Sequence, residues 1–591
     1  MADQTIHQVL RETCRKFGSR NALGYRKDKE YRYITYAELW ERVRRFRAAL
    51  HSLGLRKGDR LAILSENRPE WAIADLAAQC MGVISVPIYA TLPMAQVRHI
   101  VSDSAARILI VSDKKQLAKA QEIRDGIRTL EHIVSMDTPE SESVLRFEDL
   151  ANKELDSSVD IELEVIAAAV SPDDTATYIY TSGTTGDPKG AMLSHRNLLH
   201  TGFAARQIVT LSEQDVFLSF APLSHIIERT GGHYLPLSIG ALIVYSEGLF
   251  TIAGEFPAVK PTLFLCVPRL YESMQEKILE AAAKQPENKR KMFEWAMSVG
   301  GEVVKRREEN RGIGPILALK RFIADRMVHR KIREKVLGDR MRFLVAGGAP
   351  LNPETTTFFQ SLGVEMLEGY GLTELPVIAL NRPGRARRGT VGELLPGLEV
   401  KIAPDGEILS RGPSLMKGYF GNPEATAAAI DGEGWFHTGD VGEMNGGYLR
   451  ITDRKKDIIV LANGKNVAPQ PIEAKLKQSS FISEAVLLGD NASGIVAIVV
   501  PAFDRLKTWA QQQELDSADV SALVARAETR KLFKEEIDRN SIDLADFEKI
   551  KRFTLADRPF SIETGELTPT LKVKRKVIAE KHADQIAQMV R

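Results

Sequence analysis

Short runs of aliphatic and β-branched residues recur along the chain, and stretches with apolar side chains every three or four positions lie between them. RLAIL at Arg60–Leu64, Val83–Pro87, RILIV at Arg107–Val111, ATYIY at Ala176–Tyr180, Leu242–Tyr245 and RFLVA at Arg342–Ala346 are nearly continuous in apolar residues. That is the pattern of strands buried on both faces. Tyr36–Leu53 has apolar residues at helical spacing. Strands alternating with helices predict an α/β architecture of mainly parallel sheets. The longest apolar stretches, around Leu235–Phe250 and Ile495–Phe503, fall short of the ~20 residues that a membrane-spanning helix needs. They read as buried strands and their connections.

Two segments break the pattern. From Lys284 to Arg342 there are 17 Lys/Arg against 8 Asp/Glu, a net of +9 in a chain whose total is +2. Helix formers dominate there, so a basic helical insertion is expected at about 270–340. Its apolar residues Phe293, Trp295, Ile316, Leu317, Leu319 and Phe322 leave two readings open. One is a solvated helical face, and the other is a basic amphipathic surface facing an anionic membrane. The second segment is TDRKKD at Thr452–Asp457, a charged stretch between the strand-like runs LRI and IIVLA. It divides the chain into an expected large domain at 1–453, a hinge at 454–457 and a small domain at 458–591.

Composition changes this picture little. With 44% hydrophobic and 27% charged residues the chain can build a core, which excludes a disordered protein. The near-neutral balance gives no global argument for nucleic acid, so polyanion affinity would need a local patch. Cys14, Cys80 and Cys266 lack the close spacing of a zinc or redox site. The charged start MADQTIHQVLRETCRKFG has no apolar signal region. Together these predict a cytoplasmic protein, peripheral on the inner face of the membrane if the basic segment docks there.

Candidate chemistry begins at Thr181–Gly190, TSGTTGDPKG, directly after ATYIY. Three glycines and four hydroxyl residues can turn N–H and O–H groups toward an anion, and Lys189 adds a positive charge. It is not a Walker A loop, because Pro188-Lys189-Gly190 stands where Lys followed by Ser or Thr is required. Taken alone, it could also be a polar turn leading to a helix capped by Ser194.

Further blocks follow in order: EGYGLTE at Glu368–Glu374, GWFHTGD at Gly434–Asp440, DRKKD at Asp453–Asp457 and TPTLKVKRK near the C-terminus. With them the chain resembles the adenylate-forming (AMP-binding) superfamily of acyl- and aryl-CoA ligases, peptide-synthetase adenylation domains and firefly-type luciferases. VPRLYESMQEK and GWFHTGDVGEMNGGYLRITDRKKDIIVLANGKNV are similar to its long-chain fatty-acid:CoA ligase branch. The resemblance implies a large N-terminal domain of mainly parallel sheets with helices and a small, mobile α+β C-terminal lid. It also implies a reaction in two steps. A long-chain fatty acid and ATP, with Mg²⁺, give acyl-AMP and pyrophosphate; coenzyme A then gives acyl-CoA and AMP.

It further implies roles for particular residues. Thr181, Ser182, Gly183, Thr184, Thr185, Gly186 and Lys189 would wrap the β- and γ-phosphates, and Thr184 and Glu374 would hold Mg²⁺. Thr373 would approach the α-phosphate. Tyr370 would stack on adenine opposite Gly348-Ala349-Pro350, with Glu368, Gly369 and Gly371 completing the nucleotide block. Asp440 and Arg454 would bind the ribose. His225, in APLSHIIER, would orient the carboxylate, and Gly231, Gly232, His233 and Tyr234 are acyl-pocket candidates by proximity to it.

Lys572 would bridge carboxylate and α-phosphate during adenylation. Leu571 stands where the family often has Gly, which leaves Lys574 as a competitor. Lys456 matches the hinge position, and Gly464-Lys465-Asn466-Val467 would replace Lys572 and line the coenzyme A channel. Asp453 stands where many members have Gly. A fatty-acyl-AMP ligase loading a carrier protein, a luciferase-like oxygenase and a membrane-docking nucleotide switch remain as alternatives. No nucleic-acid partner is expected, and chain-length optimum and oligomeric state stay open.

Overall fold

Two twisted sheets of mainly parallel strands carry most of the chain in the computed structural model, which describes residues 4–139, 141, 143–181, 188–309, 311–568 and 572–590. The larger sheet runs, in spatial order, Glu393–Leu394, Ala379–Leu380, Glu365–Tyr370, Phe343–Gly347, Leu263–Cys266, Val216–Ser219, Leu242–Tyr245, Asn21–Lys27 and Glu30–Thr35. Neighbours from Glu365–Tyr370 to Asn21–Lys27 are parallel, and the edges are antiparallel. The second sheet centres on Arg60–Leu64, Ile84–Ile88 and Ile108–Val111, parallel and buried almost throughout. Both faces of such strands are covered, which is why they read as apolar runs without alternation.

The helix Tyr36–Ser52 starts where Thr35 and Glu38 form a reciprocal capping box. The helix Pro69–Gln79 is buried at every position except Glu70 and touches strands of both sheets. A helix between two sheets must be apolar all round. Yet it carries Asp75, which has no solvent exposure.

The Asp75 charge is answered across the layer. Arg229 Nη2 donates to its carboxylate, Tyr234 Oη donates to Oδ2 at 2.6 Å, and His233 Nε2 lies 3.7 Å from Oδ2. Arg229 Nη1 donates to Thr177 Oγ1 at 2.7 Å. Burial alone would raise the Asp75 carboxyl, but Arg229, His233 and Tyr234 together hold it below the ordinary range. Removing one partner of a buried pair leaves an uncompensated charge. Asp75→Ala is therefore expected to cost about 3–5 kcal/mol, seen as a lower unfolding midpoint of the large domain by calorimetry. An unchanged midpoint would contradict this account.

Two details differ from the sequence expectations. The loop after Thr175–Thr181 leads first into a strand, Lys189–Ser194, antiparallel to Thr175–Thr181; only then does Ser194 cap the helix His195–Arg206. Leu235–Ile239 is helical, closed by left-handed Gly240, and only Leu242–Tyr245 of that apolar run is strand.

The basic segment consists of the helices Pro268–Ala283, Glu287–Glu308, Pro315–Ala324 and Arg330–Val336, with a π-helical turn at Asp325–His329. A four-stranded antiparallel sheet ends at Tyr448–Arg454. Beyond it, Ile482–Leu488, Ile495–Pro501 and Ile550–Leu555 form a separate sheet over their own apolar core, which includes Ile459, Leu476 and Phe533. No helix among the described residues is long and apolar enough to cross a membrane.

Candidate active site

Parallel strands of an α/β sheet end at the edge where ligands usually bind. The strand Phe343–Gly347 runs into Gly348-Ala349-Pro350, with Gly348 in the left-handed region at φ +82°. Its neighbour Glu365–Tyr370 runs into Gly371, where an added Cβ would collide with the Pro376 carbonyl. The chain turns back here, with Leu372 N donating to Leu375 O at 3.0 Å and Ile378 N to Tyr370 O at 2.7 Å. Thr373 and Glu374 sit on this turn. Glu368 takes an organising position rather than an open one: Leu351 N donates to its Oε1 at 3.3 Å, and burial raises the carboxyl to about 8. Gly369 gives close packing against the Leu380 side chain.

The hairpin of Phe436–Asn445 and Tyr448–Arg454 puts Asp440 opposite Arg454. Arg454 Nε lies 3.1 Å from Asp440 Oδ1, and Tyr370 Oη donates to Asp440 Oδ2 at 2.6 Å. Burial, and then the Asp440 charge, push the Tyr370 phenol well up, so it stays protonated and donates. Tyr370, Asp440 and Arg454, from three separate sequence blocks, thus form one continuous chain.

The structure adds a residue that the sequence reading missed. Tyr419 Oη donates to Glu374 Oε1 at 2.6 Å, and Lys189 Nζ lies 5.6 Å from the centre of its ring. Tyr419 arrives there because its segment lies along the strand Lys189–Ser194: Met192 N donates to Gly418 O at 2.9 Å and Phe420 N to Gly190 O at 2.8 Å. A Gly-Tyr pair in a loop gives no sign of this, since the pairing is set by a strand more than two hundred positions earlier.

Lys572 reaches the same place from the C-terminal unit. Its backbone is pinned to Thr568, whose N donates to Lys572 O at 2.8 Å and whose Oγ1 accepts from Lys572 N at 3.0 Å. Burial lowers its ammonium to about 8, with Arg454 and Lys456 adding to the shift and Asp440 and Glu374 opposing it. Burial, together with the Lys572 charge, also lowers the His225 imidazole to about 4, so that ring is neutral near pH 7. Ile227 N donates to His225 Nδ1 at 3.2 Å, which leaves the ring proton on Nε2. Lys574 instead caps the helix Arg575–Lys581, its N donating to Glu566 O at 2.8 Å.

Around Lys456, Lys455 is tied back by Asp405 at 2.6 Å and Glu407 at 3.0 Å. Asp457 N and Ile458 N both donate to Arg454 O, at 2.9 and 3.1 Å. Lys456 itself has its ammonium lowered by burial and by Arg454. The loop Gly464, Lys465 and Asn466 is not brought to the site. It closes the hairpin of Ile459–Val460 and Asn466–Val467, with Lys465 Nζ 4.4 Å from the Phe547 ring.

Of the acyl-pocket candidates, Gly231 lies close to Leu265 and Gly232 packs on the Glu228 carboxyl. His233 and Tyr234 are committed to the buried Asp75–Arg229 network, a structural task that proximity to His225 in sequence could not reveal. Thr181 ends its strand opposite Lys189. Ser182, Gly183, Thr184, Thr185 and Gly186, and Leu571 beside Lys572, lie outside the described residues.

Known proteins resemble this chain over most of its length. A family profile described as AMP-binding enzyme matches residues 10–420, and one described as AMP-binding enzyme C-terminal domain matches residues 456–590. The long-chain-fatty-acid--CoA ligase FadD15 of Mycobacterium bovis is 35% identical over 562 residues, covering 94% of this chain and 91% of its own length. The long-chain-fatty-acid--CoA ligase ACSBG2 of Xenopus laevis is 32% identical over 620 residues, covering 98% of this chain and 83% of its own. Among solved structures, the anthranilate CoA ligase AuaEII in complex with anthranoyl-AMP shares the fold, with a TM-score of 0.75 at 21% identity over 100% of this chain and 99% of its own.

Proposed function

The chain belongs to the AMP-binding enzyme family, and from that membership we propose that it is an ATP-dependent fatty-acid:CoA ligase acting on long-chain acids. One observation carries the reading at the site. The buried Lys572 ammonium feels the charges of Arg454, Asp440 and Glu374, and its own charge acts on the buried His225 ring.

A carboxylate is a poor acyl electrophile, because its leaving group would be oxide. Transfer of AMP makes a better one, but it joins two anions, so charge must be neutralised and the reactants aligned. Neutral His225 orients the acid without removing a proton. Lys572 bridges the carboxylate oxygen and the α-phosphate as negative charge builds up between them. Tyr370 offers a face to adenine, and Asp440 and Arg454 hold the ribose.

Among the described residues no group of three or more His, Cys, Asp and Glu is arranged for a metal. The Glu374 carboxylate and Thr184 would hold Mg²⁺ together with phosphate oxygens and water, and the ion would neutralise the departing pyrophosphate. Tyr419 orients that carboxylate. Tyr419→Phe keeps the ring beneath Lys189 but removes the bond to Glu374, a hydrogen bond to a charged group worth about 1.5–3 kcal/mol. It is expected to raise the Mg²⁺ concentration for half-maximal adenylation about tenfold, read from a metal titration at fixed ATP. An unchanged titration would remove Tyr419 from the site.

Lys572 must then withdraw before a thiol can approach. Rotation of the C-terminal unit about Lys456 would carry it away and bring Gly464–Asn466 toward the acyl-AMP, opening the route for coenzyme A. The test of the whole reading is pyrophosphate release with acids from acetate to oleate, with and without coenzyme A. Release that rises with chain length, with free thioester formed only with coenzyme A, is the expected result. Release without coenzyme A turnover would point to a carrier-protein acceptor, and no release with any acid would reject the reading.

A further inference from the structure

Exposed large apolar side chains are scattered singly over most of this protein, but not everywhere. Of seventeen among the described residues, six fall within positions 313–327: Ile313, Ile316, Leu319, Phe322, Ile323 and Met327. Ile316 is 73%, Leu319 61% and Phe322 63% exposed, values more typical of charged side chains. Ile316, Leu319 and Ile323 follow helical spacing on the helix Pro315–Ala324, and Met327 extends their face by one turn. An adjacent face is satisfied: Ala324, Val328 and part of Leu317 pack on Ala296 and Val299 of the helix Glu287–Glu308. The helix is therefore apolar on two sides, and one side has no neighbour.

Exposed cations accompany the open side. Lys320, Arg326 and Lys331 are exposed and have no ion-pair partner among the described residues, whereas Arg306 is held by Glu302 at 2.8 Å and Arg330 by Glu334 at 2.7 Å. We propose that the helix Pro315–Ala324 and the turn Asp325–His329 dock the protein on anionic phospholipid bilayers. Apolar side chains standing out from a helix corner suit a fluid apolar phase, which needs no shaped groove to receive them. The unpaired cations can lie at headgroup level, with their aliphatic stems against the apolar patch. A second copy of this chain is the poorer occupant, because it would bring the same uncompensated positive charges face to face. The sequence alone misassigns part of the surface, since Phe293 and Leu317 turn inward against the helix pair.

Docking is independent of the ligase reading, because it is measured without ATP or coenzyme A. The test is co-sedimentation with phosphatidylcholine vesicles with and without phosphatidylglycerol, at low and high salt. The wild type is compared with Ile316→Ser/Leu319→Ser/Phe322→Ser and with Lys320→Glu/Arg326→Glu/Lys331→Glu. The exposed positions tolerate polar side chains, and an unchanged thermal unfolding midpoint checks that both variants are folded. The wild type should bind only the anionic vesicles and weaken in high salt, and each variant should bind at least about tenfold less. Equal binding to neutral vesicles, variants that bind like the wild type, or no wild-type binding would overturn the proposal. A wild-type dimer that the apolar variant turns into a monomer, with no vesicle binding, would assign the patch to a second copy instead.

Discussion

Lys572→Ala is expected to lower ATP–pyrophosphate exchange at least about a thousandfold, while thioester formation from supplied acyl-AMP stays within a few-fold of wild type. The first loss corresponds to about 4 kcal/mol of transition-state stabilisation, the size of effect seen when one preorganised donor to a developing charge is removed. On the proposed rotation the second step is spared, because the lysine has left the site by then. The environment of Lys572 adds a pH signature. Its ammonium is lowered to about 8, so it is charged below that pH and neutral above it. Adenylation measured as kcat/KM should therefore decline as pH rises through about 8. Lys572→Arg, whose charge persists at any accessible pH, should lose that decline whatever its absolute rate. Lys574→Ala should change exchange by less than about twofold, as expected for a half-buried helix-capping position away from the site. If Lys574→Ala instead shows the large loss, the adenylation lysine is Lys574.

The second large effect is expected at the hinge. Lys456→Pro should leave acyl-AMP formation within a few-fold of wild type and slow acyl-CoA release about a hundredfold. Proline fixes φ near −65° and restricts the residue before it, here Lys455, which Asp405 and Glu407 already tie down. The observed arrangement, with Lys572 at the site, would then be retained, and the alternative one would be hard to reach. Single-turnover mixing of enzyme, ATP and acid, with coenzyme A added in a second step, separates the two rates. Equal losses in both would show that Lys456 only supports the fold.

Much of the framework was legible because buried parallel strands have a local signature. Arg60–Leu64 was located to the residue, and Ile84–Ile88 and Phe343–Gly347 to within one position. The helix at Tyr36 was found from its periodicity, and Thr35 with Glu38 explains where it starts. The strand Lys189–Ser194 was missed, because its KGAMLS sequence lacks alternation and its partner is the strand just before it. The Asp75–Arg229 pair left no trace either: the two residues are 154 positions apart, and each alone looks like an ordinary surface charge.

The sequence by itself determined the family, the fold class and the contiguous blocks from which the site is made, because each block is a short run whose residue types are dictated locally. Only the tertiary structure decided which of those blocks face one another. Tyr370 bonds Asp440, Tyr419 bonds Glu374, and the Lys572 charge rather than that of Lys574 acts on His225. Those are through-space relations between distant segments, and the charge state of Lys572 follows from them, since burial and neighbouring charges act over ångströms and not along the chain. The same holds at the surface. Periodicity shows that Pro315–Ala324 has apolar residues on two faces, but only the neighbouring helix decides which face is covered and which is left open.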